Sequence, residues 1–155
     1  MKKISSVLFV CMGNICRSPT AEAVFRRAAK DAGLTIEVDS AGTIGHHQGE
    51  LPDRRSRAAG EARGIDFTGI RSRKVVDNDF VHFDLILAAD NQNLNDLRER
   101  CPQQYQYKLK LILDFTDTPG REVPDPYYGG GQGFELVLDM LEDASRGLID
   151  SIAET

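Results

Sequence analysis

The stretch Cys11-Met12-Gly13-Asn14-Ile15-Cys16-Arg17-Ser18-Pro19 decides how the rest of the chain is read. The apolar run Val7-Leu8-Phe9-Val10 precedes it and predicts a buried strand. Ser18 offers an N-cap and Pro19 suits a first helical turn, so a helix should follow. Its apolar side continues through Ala21, Val24, Phe25, Ala28, Ala29 and Ala32, and Gly33 is a natural stop. The order is strand, short loop, helix. Successive backbone N–H groups of such a loop can curl around one anion, with a helix N-terminus behind them. Arg17 adds a planar fork that can hold two oxygens at once. Cys11 falls at the floor of this cradle, where positive potential favours the nucleophilic thiolate.

Outward from the loop, strand and helix patterns alternate. Thr35 to Ser40 alternates as a strand, and the glycine-rich stretch from Ser40 to Gly49 reads as a loop. A second helix is expected from Pro52-Asp53 to about Arg63, ending at Gly64. Phe83 to Ala89 reads as a buried strand, followed by Asp90 and a short helix carrying Leu94 and Leu97. Leu109 to Leu113 predicts another strand, Thr116 to Gly133 a loop rich in Pro, Gly and Asp, and Phe134 to Ile152 an amphipathic helix. Strands separated by helices imply an α/β fold, a parallel sheet covered on both faces. Such sheets place their sites at the carboxyl ends of the strands, where Cys11 to Arg17 and Asp90 both fall.

Composition narrows the function. The 155 residues suit a single domain spanning 1–155, able to bury roughly 70% of its unfolded surface. A formal net charge of −5 argues against nucleic-acid binding, and any recognition of phosphate must be local. No apolar run reaches membrane-spanning length and the N-terminal residues lack a signal-peptide pattern, so a cytoplasmic location is expected. Three cysteines do not form a disulfide framework, which leaves reactive or buried thiols. Cys101, beside Pro102, is expected to have no role.

A C-x5-R spacing alone is weak, but the strand before it and the helix start after it are what a phosphate cradle requires. The chemistry that follows is attack by Cys11 on a phosphate monoester, with Arg17 and the loop N–H groups stabilising the equatorial oxygens. A departing phenolate, whose acid has a pKa of about 10, needs a proton. Asp125 in Val123-Pro124-Asp125-Pro126-Tyr127-Tyr128-Gly129 is the candidate, although read alone Pro-Asp-Pro is an ordinary turn signal. Ser18 has two compatible roles, starting the helix and steadying the thiolate. Cys16 shares the tight loop with Cys11, so mild peroxide could join the two and protect Cys11 from irreversible oxidation; alternatively Cys16 is a small buried side chain.

Across nearly its full length the chain resembles a low-molecular-weight protein tyrosine phosphatase. The resemblance rests on Val10 to Pro19, Ser40-Ala41-Gly42-Thr43, Pro52-Asp53, Phe83 to Asp90 and Asp125-Pro126-Tyr127-Tyr128. It implies a four-stranded parallel sheet flanked by helices, with a phosphate-binding loop after the first strand and no metal or other cofactor. Carried onto this chain, it makes Cys11 the nucleophile, Arg17 the phosphate clamp and Asp125 the general acid, while Asn14 and Ser18 shape a loop that also comprises Met12, Gly13, Ile15 and Cys16. Tyr127 and Tyr128 resemble aromatic residues at the family's active-site entrance, and His46 falls about where many members place another wall residue; it is otherwise a solvated loop histidine. The implied partner is a phosphotyrosine protein or peptide, with a tyrosine kinase as one such substrate. One departure stands out. Many relatives have a histidine that helps tie down the loop, and here Ile70 occupies that place, which puts the support of the loop in question. Arg54, Arg55, Arg57, Arg71 and Arg73 form two basic clusters, read as solvated faces or as guides for an acidic phosphopeptide.

Three rivals share parts of this pattern. Arsenate reductases of this fold need two further downstream cysteines, whereas Cys101 stands alone. Protein arginine phosphatases carry a threonine after the loop asparagine. Here Ile15 stands, an apolar side chain that suits a phenyl ring and offers no oxygen to a guanidinium. A phosphate-binding module without activity would have a defective nucleophile or acid, yet Cys11, Arg17 and Asp125 are all present.

Overall fold

In the computed structural model, which describes residues 3–126 and 131–153, the expected first strand spans Ser6–Cys11 (β1) and is buried throughout. Its alternation builds both faces of a sheet. Val7, Phe9 and Cys11 join one apolar cluster with Phe25, Leu138, Leu141 and Leu148. Leu8 and Val10 join the other, with Phe80, Ile86 and Leu97. Phe25 and Phe80 are fully buried, each contributing about 1.5–3 kcal/mol relative to an exposed ring. A strand buried on both sides must be covered on both sides, which is why its sequence is apolar without interruption.

The remaining elements are α1 (Arg17–Asp31), β2 (Glu37–Gly42), α2 (Arg54–Ala62), α3 (Asp77–His82), β3 (Leu85–Ala88), α4 (Asn91–Arg100), β4 (Leu109–Leu111) and α5 (Gly131–Ala153), with 3-10 turns at Gln103–Lys108 and Ile112–Phe115. The four strands lie parallel in the order β2-β1-β3-β4. Chain order therefore reverses between β1 and β3, and a crevice opens at their carboxyl ends. Among the described residues no helix is long and apolar enough to cross a membrane.

Several boundaries differ from the sequence pattern. The second strand runs to Gly42, two residues past the expected Ser40, because its pairing with β1 continues to Cys11↔Gly42. A Cβ on Gly42 would lie 2.7 Å from the Met12 carbonyl oxygen, so only glycine lets the strand end this close to the loop. The helix α3 was not expected from its six residues. Two carbonyls of its final turn, those of Phe80 and Val81, accept from Lys108 Nζ at 2.7 and 3.1 Å, a contact from far along the chain. The fourth strand stops at Leu111, and α5 begins at Gly131, inside the stretch read as loop.

Candidate active site

The loop between β1 and α1 lies at the crevice, and its shape depends on Asn14. This residue adopts φ 57°, the only left-handed non-glycine conformation among the described residues, and asparagine tolerates it better than most. Its backbone N–H points to Cys11 Sγ at 3.2 Å, and its side-chain Nδ2 donates to Ser18 Oγ at 2.7 Å. Ser18 Oγ in turn lies 2.9 Å from Cys11 Sγ. Ser18 is thus not the N-cap. That position falls to Cys16, which makes no side-chain capping bond, and the Ser18 hydroxyl, inside the first turn, meets the sulfur instead.

Arg17 is buried at the mouth of the crevice. Its Nη1 donates to Asp90 Oδ2 at 2.7 Å and to the Val123 carbonyl at 3.0 Å, leaving Nη2 3.8 Å from Asp125 Oδ2. Burial works against the guanidinium charge, but the sulfur of Cys11, then Asp90 and Asp125, outweigh it and hold Arg17 firmly protonated. Asp90 also caps α4 through the Asn93 N–H, so one carboxylate fixes both a helix and the arginine. The sequence placed Asp90 at a strand end without assigning it this task. The missing signal was its partner, which lies 73 residues away.

A cleft of about 190 Å³ opens over this arrangement, lined by Cys11, Met12, Gly13, Ile15, Cys16, Arg17, Ile44, His46, His47 and Asp125. Asn14 and Ser18 are buried behind it. His46 is exposed on its wall and meets His47 edge to face, ring centroids 4.8 Å apart. Tyr127 and Tyr128 lie outside the described residues. Cys16 is buried, and desolvation together with the charge of Asp53 pushes its thiol up to about 12, against a hydrogen bond with Ser56 that works the other way. Cys101 sits in the other core cluster, its Sγ 3.4 Å from the Pro102 carbonyl.

The loop is supported despite Ile70, which is buried in the core and cannot reach it by hydrogen bonding. Ser72 Oγ donates to the Gly13 carbonyl at 3.0 Å and the Arg73 N–H donates to Asn14 Oδ1 at 3.0 Å. Asp53 adds a third tie, its N–H donating to the Ile15 carbonyl at 2.6 Å while its side chain caps α2. Of the two basic clusters, Arg73 is therefore a structural residue, and Arg57 donates to the Pro52 carbonyl at 3.0 Å. Arg54 and Arg71 are exposed.

Comparison with known proteins identifies the family. Residues 6–155 match the model of the low molecular weight phosphotyrosine protein phosphatase family. A low molecular weight protein-tyrosine-phosphatase of Streptomyces coelicolor is 44% identical over 156 residues, which span 96% of this chain and 93% of the relative. The crystal structure of a protein tyrosine phosphatase from Entamoeba histolytica superposes with a TM-score of 0.92 at 48% identity, covering 97% of each chain. That of YfkJ from Bacillus subtilis gives 0.91 at 38% identity, covering 99% of this chain and 97% of the other. The chain belongs to the low molecular weight phosphotyrosine protein phosphatase family.

Proposed function

We propose that this protein hydrolyses phosphotyrosine and small aryl phosphate monoesters through a phosphocysteine formed on Cys11. The observation that carries this reading is the sulfur at the cleft floor, held by the Asn14 N–H and the Ser18 hydroxyl beside a buried arginine. The Cys11 thiolate attacks phosphorus as the aryl P–O bond breaks, and Asp125 in its acid form gives its proton to the departing oxygen. Arg17 and the loop N–H groups hold the equatorial oxygens throughout. Water then attacks the phosphocysteine and gives a proton back to Asp125. The S–P bond breaks, and phosphate and thiolate are released.

Ile15, Met12 and Ile44 present apolar surface to the cleft, which suits a phenyl ring. The substrate is a phosphotyrosine protein or peptide, and an autophosphorylating tyrosine kinase has the fitting chemistry. A nucleophilic thiol needs a reducing compartment, which the cytoplasm supplies. Hydrolysis of a phosphotyrosine peptide should exceed that of phosphoarginine by at least about tenfold in kcat/KM. The reverse preference would keep the mechanism and overturn the substrate, and turnover of neither would make the cleft a binding site only.

Cys16 belongs to the same proposal as the partner of an oxidised Cys11. Peroxide converts the Cys11 thiolate to a sulfenic acid, and condensation with the Cys16 thiol forms the disulfide and releases water. Because the Cys16 thiol is held neutral up to about 12, this step should be slow near neutrality and quicken as pH rises. After a peroxide pulse, the native protein should recover activity with added thiol, whereas Cys16→Ser should recover much less. Equal recovery would remove Cys16 from the scheme.

A further inference from the structure

The hydrogen bonds behind the nucleophile have a direction, and one group sets it. The backbone N–H of Arg73 can only donate, and it meets the Asn14 carboxamide at 3.0 Å. The amide oxygen must therefore face Arg73, which leaves Nδ2 facing Ser18 Oγ at 2.7 Å. Ser18 accepts that bond, so its own proton is free to point along the 2.9 Å contact to Cys11 Sγ. Every donor in the chain is aimed toward the sulfur. Reversing the carboxamide would set NH₂ against N–H at Arg73, a mismatch of buried donors.

That backbone N–H is held from two sides, by the Ser72 carbonyl of the same peptide, which accepts from the Gly49 N–H at 2.7 Å, and by the Arg73 side chain. Its guanidinium is gripped between two carboxylates. Asp39 accepts from Nε at 3.2 Å and Nη2 at 3.1 Å, and Asp79 accepts from Nη1 and Nη2, both at 3.0 Å. Asp79 is itself buried and receives the Val76 N–H at 2.8 Å. Asp39 stands on β2 and Asp79 in the first turn of α3, so the clamp fastens Arg73 to both neighbouring elements. The backbone that follows is pinned to Gly42, whose N–H donates to the Arg73 carbonyl at 2.8 Å and whose carbonyl accepts from Val75 at 2.9 Å.

We propose that Arg73 is a positioning residue for the nucleophile: clamped by Asp39 and Asp79, it presents the backbone N–H that orients the Asn14 carboxamide and, through Ser18, directs a proton to Cys11 Sγ. This rests on the reading of Cys11 as the nucleophile. It also gives the chain a support that does not use a histidine at position 70.

The test uses Arg73→Met, Asn14→Ala and the double variant of the full-length protein. Two rates are measured for each: alkylation of Cys11 by iodoacetamide at one fixed pH, followed by peptide mass spectrometry, and turnover of a phosphotyrosine peptide. Arg73→Met should slow alkylation and lower kcat, by up to about 10²-fold, with KM changed much less. If Arg73 acts through Asn14, the double variant should be within about twofold of Asn14→Ala alone. Losses that multiply in the double variant, or alkylation within about twofold of the native rate in Arg73→Met, would overturn the proposal. Should thermal denaturation show that Arg73→Met does not fold, Asp39→Asn loosens one arm of the clamp and decides the matter, slower alkylation supporting the role and an unchanged rate refuting it. Alkylation needs no substrate, so a native protein inactive on phosphotyrosine would defeat the proposed function while leaving this result readable.

Discussion

Exchange of Cys11 for serine should lower hydrolysis of phosphotyrosine by at least about 10⁴-fold, since removal of a covalent nucleophile in other hydrolases costs up to about 10⁶-fold. The Cys11 sulfur lines the cleft beside the buried guanidinium of Arg17. Its surroundings, the Asn14 N–H at 3.2 Å and the Ser18 hydroxyl at 2.9 Å, are donors suited to an anion. An alcohol at this position stays protonated near neutrality and is a far weaker nucleophile. Binding should survive. Arg17 remains held by Asp90 and Val123, and the loop keeps its ties to Ser72, Arg73 and Asp53, so inorganic phosphate should bind within about tenfold of its native affinity by calorimetry. Loss of activity with retained binding separates a missing nucleophile from a collapsed loop. Activity within about tenfold of native would mean that phosphorus is not attacked by Cys11.

Much of this site could be read from the chain because its parts are local. An apolar strand, a loop of fixed length and a helix start are adjacent in sequence, and Cys11 to Arg17 therefore declare both their position and their chemistry. The uninterrupted apolar run Val7 to Val10 within β1 told the same story for the sheet, since such a run has to be covered on both faces. What escaped notice depends on distant partners. Asp90 looks like any helix cap until Arg17 is found against it, 73 residues earlier. Arg73 looks like a solvated charge until the folding of β2 and α3 brings Asp39 and Asp79 to it. The helix α3 has too few residues to show a period, and Lys108 completes its carbonyl end from 27 residues or more away. Ser18 was misplaced as a cap for a different reason. A hydroxyl two residues inside a helix start can bond the backbone or turn to a neighbour, and of the two roles read for Ser18 the fold keeps the one beside Cys11, with Asn14 as its donor. The apparent defect at Ile70 has the same explanation, because support from a backbone N–H leaves no mark in the sequence.

Asp125→Asn should separate substrates by their leaving groups. Asp125 sits on the cleft wall, partly exposed, with Oδ2 3.8 Å from Arg17 Nη2. Its side chain lines the same cleft as Cys11 and Arg17, and the role proposed for it is to protonate the departing aryl oxygen. Tyrosine is a poor leaving group as its anion, the phenol having a pKa of about 10, so proton donation in the transition state matters most there. An aryl ester of a much more acidic phenol departs as the anion with little help. The loss in kcat/KM should then be about 10²–10⁴-fold for a phosphotyrosine peptide and far smaller for the activated ester. The ratio kcat/KM reports only steps through P–O cleavage, and so is blind to any second role of Asp125 in activating water. That role should show separately, as accumulation of phosphocysteine when the variant is quenched during turnover of the activated ester. Asparagine keeps the size and a hydrogen-bonding oxygen, so Arg17 should remain anchored by Asp90 and the fold undisturbed. Equal losses on both esters would mean that the proton comes from elsewhere, and that the approach of Asp125 to Arg17 is an ion pair without a part in the chemistry.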